Sequence, residues 1–322
     1  MRGKLGEFEL ISRFFAPLAT DAGAFGLTDD ACLLKQNALY DLAVTTDALI
    51  EGVHFLICDP PNLIARKALR VNLSDLAAKG AQPIGYLLAL SLTHGVDEAW
   101  LEAFAGGLAL DQKQFAVALL GGDTTATPGP LTLAVTALGH VPAGGMIRRA
   151  GAKPGDGVFV SGTIGDAGAG LAILKGELKG GAGAEFLIGR YRLPTPRLGL
   201  GVELRGVATA ALDVSDGLLG DLAHIAEVSN VRIAIEAARI PLSPALRASY
   251  GGGVEAVVRA STSGDDYEIA FTAPSEADAL DAGRRAGVTV TRIGRAQAGE
   301  GVALVDTVGN EIPVSRPGYT HF

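Results

Sequence analysis

Short apolar runs bounded by turn residues alternate along this chain with stretches whose apolar positions recur every three or four residues, the signatures of strands and of amphipathic helices. A short helix is expected over 7–15, and a loop rich in Gly and Ala then leads to Asp29-Asp30. The run Leu42-Ala43-Val44-Thr45-Thr46-Asp47-Ala48-Leu49 reads as a strand with two hydroxyls and a carboxylate toward its end. A helix over 62–79 carries Asp75, with Gly80 as its stop and Pro83 just beyond. A strand over 84–92 follows, then a helix over 97–114 with Trp100, Phe104 and Leu108 on its apolar stripe. A strand over 115–120 is expected to stop at a Gly121-Gly122 turn, and another covers 131–141.

Arg149-Ala150-Gly151-Ala152-Lys153-Pro154-Gly155-Asp156 interrupts the periodicity and marks a boundary between domains 1–148 and 149–322. The second half opens with a strand over 158–160. Gly162-Thr163-Ile164-Gly165-Asp166 and a helix through Leu171 and Leu174 come next, then a Gly-rich surface loop over 179–184. Strands are expected over 210–214, 231–235, 267–272 and 288–293, and helices over 218–228 and 275–286. Such alternation predicts an α/β or α+β fold. The segment Gly318-Tyr319-Thr320-His321-Phe322 is too aromatic for a free tail and is expected to dock on the fold.

Composition narrows the function classes. With 322 residues, 48% of them apolar, the chain can bury two cores. A net charge of −8 and a pI near 5.2 argue against nucleic-acid and anionic-membrane binding, which need a basic face. Cys32 and Cys58 have neither metal-finger nor disulfide spacing and read as free thiols of a reducing compartment. No signal-peptide core or membrane-length apolar run is present, so a cytoplasmic protein is expected.

The candidate chemistry lies in acidic groups beside hydroxyls or glycines: Asp30, Asp47, Asp75, Asp123, Asp213 and Asp216. Each alone also fits a turn former or a helix N-cap, Asp216 ahead of Gly217-Leu218 above all. Together, oxygen donors with few His or Cys suit Mg²⁺ or Ca²⁺ rather than Zn²⁺, and through such cations an acidic protein can hold nucleotide phosphates. No P-loop, protein-kinase glycine loop or nucleophile elbow is present. Gly121-Gly122-Asp123-Thr124-Thr125 would let backbone approach phosphate. His54 fits either an ordinary hydrogen-bonded histidine or a substrate contact, and Arg148-Arg149 either a solvated pair or a phosphate clamp.

Taken in order, the motifs resemble the thiamine-monophosphate kinase family of the aminoimidazole-ribonucleotide-synthetase-like ATP-binding superfamily. They are Thr-Asp-Asp-Ala (28–31), Thr-Thr-Asp-Ala-Leu-Ile-Glu-Gly-Val-His-Phe (45–55), Asn-Leu-Ser-Asp-Leu-Ala-Ala (72–78), Gly-Gly-Asp-Thr-Thr (121–125), Arg-Ala-Gly-Ala-Lys-Pro-Gly-Asp (149–156), Asp-Val-Ser-Asp-Gly-Leu (213–218), Ser-Gly-Asp-Asp-Tyr-Glu-Ile (263–269) and the terminal Gly-Tyr-Thr-His-Phe. The likeness implies a two-domain PurM-like fold, α+β or α/β, with an N-terminal mixed sheet that pairs in a homodimer. A C-terminal sheet with helices would complete the active site.

It further implies ATP-dependent phosphorylation of thiamine monophosphate by direct in-line transfer, with several Mg²⁺ ions. Asp30, Thr45, Thr46, Asp47, Asp75, Asp123, Asp213 and Asp216 would be metal ligands, with Asp47, Asp75, Asp123 and Asp213 catalytic. Phe104, Gly122, Asp123, Arg149 and Ser215 would contact ATP, and His54, Asp265 and Tyr319 the thiamine phosphate. Asp265 stands where the family usually has Glu, Thr28 where it has Gly, and Lys79 where it has Met. A selenophosphate-synthetase-like enzyme and a non-catalytic nucleotide-binding protein are the alternatives; Cys32 follows Asp29-Asp30 rather than the Gly-rich loop that the former would carry.

Overall fold

A computed structural model describes residues 7–28, 31–35 and 37–319. The chain divides into two compact units, Met1–Leu76 with Gln82–Gly144, and Ala77–Ala81 with Gly145–Phe322.

The first unit begins with a short helix α1 (Glu7–Leu10) that widens into a looser turn over Ile11–Phe15. Then come β1 (Tyr40–Ile50), α2 (Pro61–Ala78), β2 (Gln82–Leu92), α3 (Glu98–Phe115), β3 (Ala118–Ala126) and β4 (Thr132–Pro142). The four strands form a mixed sheet in the order β1-β4-β2-β3, with only β2 and β3 parallel. Asp97 caps α3 by accepting the Trp100 amide, and the helix ends at a left-handed Ala116. Helix α2 is buried on most of its circumference, polar Lys67, Arg70, Asn72 and Ser74 included, and is a core helix. It packs with α3 on one face of the sheet: the Arg66 and Arg70 guanidiniums of α2 share the buried Asp111 carboxylate of α3, and Gln112 of α3 donates to the buried Tyr86 hydroxyl of β2. The other face of β1 is open, with Leu42 and Val44 exposed.

The strand expected to stop at Gly121 runs on to Ala126 instead. The glycine pair is the interior of a strand, for a steric reason: a Cβ at Gly122 would lie 1.9 Å from the Leu88 carbonyl oxygen. Only a residue without a side chain lets β2 and β3 come so close, and the register shifts just before it, between Tyr86 and Leu87.

The second unit contains β5 (Gly157–Ser161), α4 (Asp166–Leu174), α5 (Ala184–Arg192), α6 (Leu198–Glu203), β6 (Ala210–Asp213), α7 (Leu218–Ser229), β7 (Arg232–Glu236), α8 (Pro244–Tyr250), α9 (Val254–Thr262), β8 (Ile269–Ala273), α10 (Glu276–Ala286), β9 (Val290–Gln297) and β10 (Gly301–Val305). Its sheet runs β10-β7-β9-β5-β8-β6, antiparallel apart from β10 and β7. Strands β5 and β8 are buried along their whole length because both faces carry a core. Val158 and Val160 pack with Leu212, Leu222 and Ile233 on one side. Phe159 stacks on Phe271 on the other, with Ala211 and Leu200. The fold is two mixed α/β units of the kind expected. Among the described residues no helix is long and apolar enough to cross a membrane.

Candidate active site

Alternation along β1 decides which of its polar groups work together. Ala43 and Leu49 are buried, so Thr45 and Asp47 face inward with them, toward α2. The Thr45 hydroxyl donates to Asp75 Oδ2 at 2.5 Å, and the Asp47 amide donates to Asn72 Oδ1 at 3.1 Å. Asn72 and Asp75 sit three residues apart on one face of the helix, matching the two-residue step of the strand. From Lys67 to Ala78 only Asp75 keeps an opening to solvent. A helix otherwise given over to the core thus presents one carboxylate outward.

Thr46 takes the opposite face. Its hydroxyl donates to the Val135 carbonyl and accepts from Thr136 Oγ1, both at 3.1 Å. The Thr45-Thr46-Asp47 triplet therefore does not aim three side-chain oxygens at one point, because the strand period forbids it. Phe104 is fully buried and stacked on Trp100 with ring centroids 5.0 Å apart. It packs as a core side chain, as its place on the apolar stripe of α3 dictates. Asp123 lies on β3 at the register of Ala89 and is exposed. Asp30 lies outside the described residues.

His54 closes a tight turn after β1. Gly52 takes φ +81° there, the amides of Val53 and His54 donate to the Ile50 carbonyl, and the Ile50 amide donates to His54 Nδ1 at 3.0 Å. With Nδ1 as acceptor, the neutral ring carries its proton on Nε2. The His54 carbonyl also accepts from the Lys67 ammonium at 3.0 Å.

In the second unit the candidate residues lie on a loop, Asp213 to Gly217, leaving the buried end of β6. Its carbonyls are bonded from two other segments. The Asp265 amide donates to Ser215 at 2.8 Å and the Tyr267 amide to Val214 at 2.8 Å, while the Tyr319 amide donates to Asp216 at 2.9 Å. Of the terminal segment, Gly318 and Tyr319 are described and lie against this loop: the Gly220 amide also donates to the Pro317 carbonyl, and the Arg316 guanidinium lies over the Tyr319 ring; Thr320, His321 and Phe322 lie outside the described residues. Asp216 does not cap α7. The Asp221 carboxylate accepts the amides of Ser215, Asp216 and Gly217 at 3.0, 3.1 and 3.1 Å instead. Burial, reinforced by the neighbouring Asp216, pushes the Asp221 carboxyl up to about 7.

The acidic motif after α9 splits by direction. Asp266 and Glu268 are completely buried. Glu268 accepts from Arg190, Arg197 and the Ser161 hydroxyl, and Asp266 from the amides of Gly165 and Ala167. Burial raises the Asp266 carboxyl well above the usual carboxylate range. Asp265 and Tyr267 adopt φ +68° and +52°, left-handed values uncommon for side-chain-bearing residues. Two anchors alternate with two strained, half-exposed residues, so Asp265 is offered outward while its neighbours hold the chain. Lys79, the departure from the family's Met, donates from Nζ to the Ala211 carbonyl at 2.8 Å, on the strand that ends at Asp213. Arg149 is exposed, and its carbonyl accepts from Ser229 Oγ at 3.4 Å.

Each unit thus offers oxygen donors, Thr45, Asp47 and Asp75 in the first and Asp213, Ser215 and Asp216 in the second. Among the described residues no group of three or more His, Cys, Asp or Glu is arranged to hold a metal ion by itself. Three contributors escaped the sequence reading: Asn72, Asp221 and Glu268. The available signal was a polar residue at a position where the helix or strand pattern demands an apolar one.

Both halves of the chain resemble known proteins. Residues 28–141 match the family model "AIR synthase related protein, N-terminal domain", and residues 153–307 match "AIR synthase related protein, C-terminal domain". The chain is 46% identical over 321 residues to the thiamine-monophosphate kinase of Caulobacter vibrioides, covering 98% of this chain and 90% of that protein. It is 42% identical to that of Escherichia coli K12, covering 98% of each. Among solved structures, the thiamine-monophosphate kinase of Stenotrophomonas maltophilia superposes with a TM-score of 0.82 at 45% identity, covering 92% of this chain and 96% of that one. AaThiL complexed with AMPPCP and TMP superposes at 0.78 with 32% identity, covering 100% and 99%.

Proposed function

The chain belongs to the thiamine-monophosphate kinase family, and from that premise we infer how its residues share the work of phosphorylating thiamine monophosphate to thiamine diphosphate with ATP. The observation that carries this reading is similarity along nearly the whole chain to kinases of that activity. The chemistry is transfer of the terminal phosphoryl group of ATP to the phosphate of the acceptor. Two anionic molecules must be held in line, so positioning and charge neutralisation dominate over covalent chemistry.

Mg²⁺ is the cation that this reading requires, and the donors fit it. Thr45, Asp47 and Asp75 are hard oxygen ligands on one face of β1 and α2, with few enough carboxylates to leave room for water and phosphate. When bound, the cation neutralises phosphate charge as it shifts during transfer. Asp47, Asp75, Asp123 and Asp213 are the proposed catalytic carboxylates, with Asp30, Thr45, Thr46 and Asp216 as further ligands; the Thr46 hydroxyl is engaged on the far face of β1.

Gly122, Arg149 and Ser215 are the proposed contacts to ATP. Gly122 suits the role because it has no side chain to fend off a phosphate, and Arg149 because its guanidinium is exposed. His54 would donate from Nε2 to a phosphate oxygen of thiamine monophosphate. Asp265 and Tyr319 complete the acceptor site, and both are tied by their own amides to the carbonyls of Ser215 and Asp216. Nucleotide and acceptor contacts are thereby coupled through adjacent peptide units.

The open face of β1 supports a homodimer of a cytoplasmic enzyme. Leu42 and Val44 are 45% and 57% exposed, and a second copy of the sheet would cover them. Sedimentation of the wild type as a dimer, and of Val44→Glu as a monomer, is expected; a wild-type monomer removes that part of the reading. For the activity, incubation with ATP, Mg²⁺ and thiamine monophosphate is expected to yield ADP and thiamine diphosphate in equal amounts. ADP formed without thiamine diphosphate would refute it.

A further inference from the structure

Asp221 is buried in the first turn of α7, and one of its oxygens, Oδ2, accepts the three successive amides of Ser215, Asp216 and Gly217. Its own amide donates back to the Gly217 carbonyl at 2.9 Å. Three consecutive N–H groups converging on one oxygen form the concave arrangement that elsewhere binds external anions. Here the acceptor is internal. With the amides turned in, the carbonyls of Ser215 and Asp216 are left to meet the amides of Asp265 and Tyr319. Gly217 makes the closing turn at φ +129°, where a Cβ would sit 3.0 Å from the Thr262 carbonyl carbon. The loop is therefore held from within and from both neighbouring segments, with the Asp221 carboxylate at its centre.

We propose that Asp221 is a positioning residue for phosphoryl transfer: its carboxylate is the core around which residues 215–217 fold, and it sets the placement of Asp213, Ser215 and Asp216 toward the nucleotide and its cation. Asp221 touches neither; it acts through the loop. The proposal rests on the reading of Asp213 and Asp216 as metal ligands. Replacement by Asn exchanges one acceptor oxygen for an N–H₂ group, which must either turn away or face three donors. Outer partners that orient metal ligands lower metal affinity or activity by roughly 10–100-fold when removed.

The test uses the full-length enzyme and compares Asp221→Asn, Asp221→Glu and Asp213→Asn. Measured are the Mg²⁺ concentration for half-maximal rate, kcat, KM for ATP, and amide hydrogen exchange. Asp221→Asn is expected to need about tenfold more Mg²⁺ and to turn over at least about tenfold more slowly. Exchange should quicken at 215–217 while the amides of Gly165 and Ala167 keep their protection. A merely structural role would lower thermal stability and leave the Mg²⁺ requirement unchanged. Asp221→Glu keeps the charge but moves the oxygens by one methylene, and it is expected to shift the Mg²⁺ requirement in the same direction; it decides the question if the Asn variant does not fold. Wild-type Mg²⁺ dependence in a folded Asp221 variant, with Asp213→Asn inactive, overturns the proposal. Full activity in Asp213→Asn overturns the metal-ligand reading beneath it.

Discussion

Replacing Asn72 with Ala removes the amide that joins the carboxylate strand of the first unit to its helix. Asn72 is fully buried; Oδ1 accepts the Asp47 amide at 3.1 Å, and Nδ2 donates to the Ala68 carbonyl at 3.0 Å. The second bond is the lesser loss, because the Ala68 carbonyl lies inside α2 and keeps its place in the helical ladder. The first leaves the Asp47 N–H half-buried without its acceptor, a cost of about 1–3 kcal/mol. A central expectation of about 2 kcal/mol follows from that same range, read as a lower urea midpoint at unchanged slope. Function should suffer more than stability. Asp47 is held by that amide, and a misplacement near 1 Å costs up to about 100-fold in rate, so kcat/KM should fall by about 10–100-fold. An unchanged urea midpoint together with kcat/KM within about twofold of wild type would refute the reasoning. Asn72→Asp supplies a control with a definite sign. A protonated carboxyl can copy the amide, accepting from Asp47 and donating to Ala68, whereas an ionised one sets an oxygen against the Ala68 carbonyl. The folded form retains its proton where the unfolded chain has lost it, so this variant loses stability as pH rises above the usual carboxylate range.

Three further outcomes are expected. Gly122→Ala drives a methyl into the Leu88 carbonyl oxygen and should separate β2 from β3, with a loss of at least about 1–3 kcal/mol in urea unfolding; an unchanged midpoint would show that the strands can part freely. Glu268→Ala strands the Arg190 and Arg197 guanidiniums and should cost about 3–5 kcal/mol, while Glu268→Gln, which still accepts hydrogen bonds, should cost less; equal losses would contradict the ionic account. Burial holds the Asp266 proton in the folded state above the usual carboxylate range, so the folded form binds more protons than the unfolded chain and this group's contribution falls as pH rises. Asp266→Asn should flatten that dependence in urea unfolding measured across pH, and an identical slope in both proteins would show that Asp266 does not supply it.

Local pattern carried the sequence reading as far as local forces decide structure. The apolar spacing placed a helix over 62–79, observed as Pro61–Ala78, and the alternation of β1 announced a strand with polar groups near its end. Gly121-Gly122 misled because a glycine pair marks a turn in isolation, and only the proximity of Leu88 makes it a strand interior. Thr46 shows the same limit from another side. Proximity in a motif does not say which face a side chain takes, and strand or helix period overrides membership of a motif. Asp266 and Glu268 look like equals of Asp265 in sequence, yet long-range partners at Ser161, Gly165, Arg190 and Arg197 draw two of the three inside. Strand β10 escaped notice because its apolar run is short and preceded by glycines that read as loop.

The bond from the Tyr319 amide to the Asp216 carbonyl has a bearing on biogenesis. A ribosome delivers the loop long before it delivers the segment that fastens it. The nascent chain can complete both sheets and still lack this fastening, so the loop settles only after Tyr319 has emerged. If the loop serves catalysis as proposed, competence waits on that segment, after both sheets have already formed.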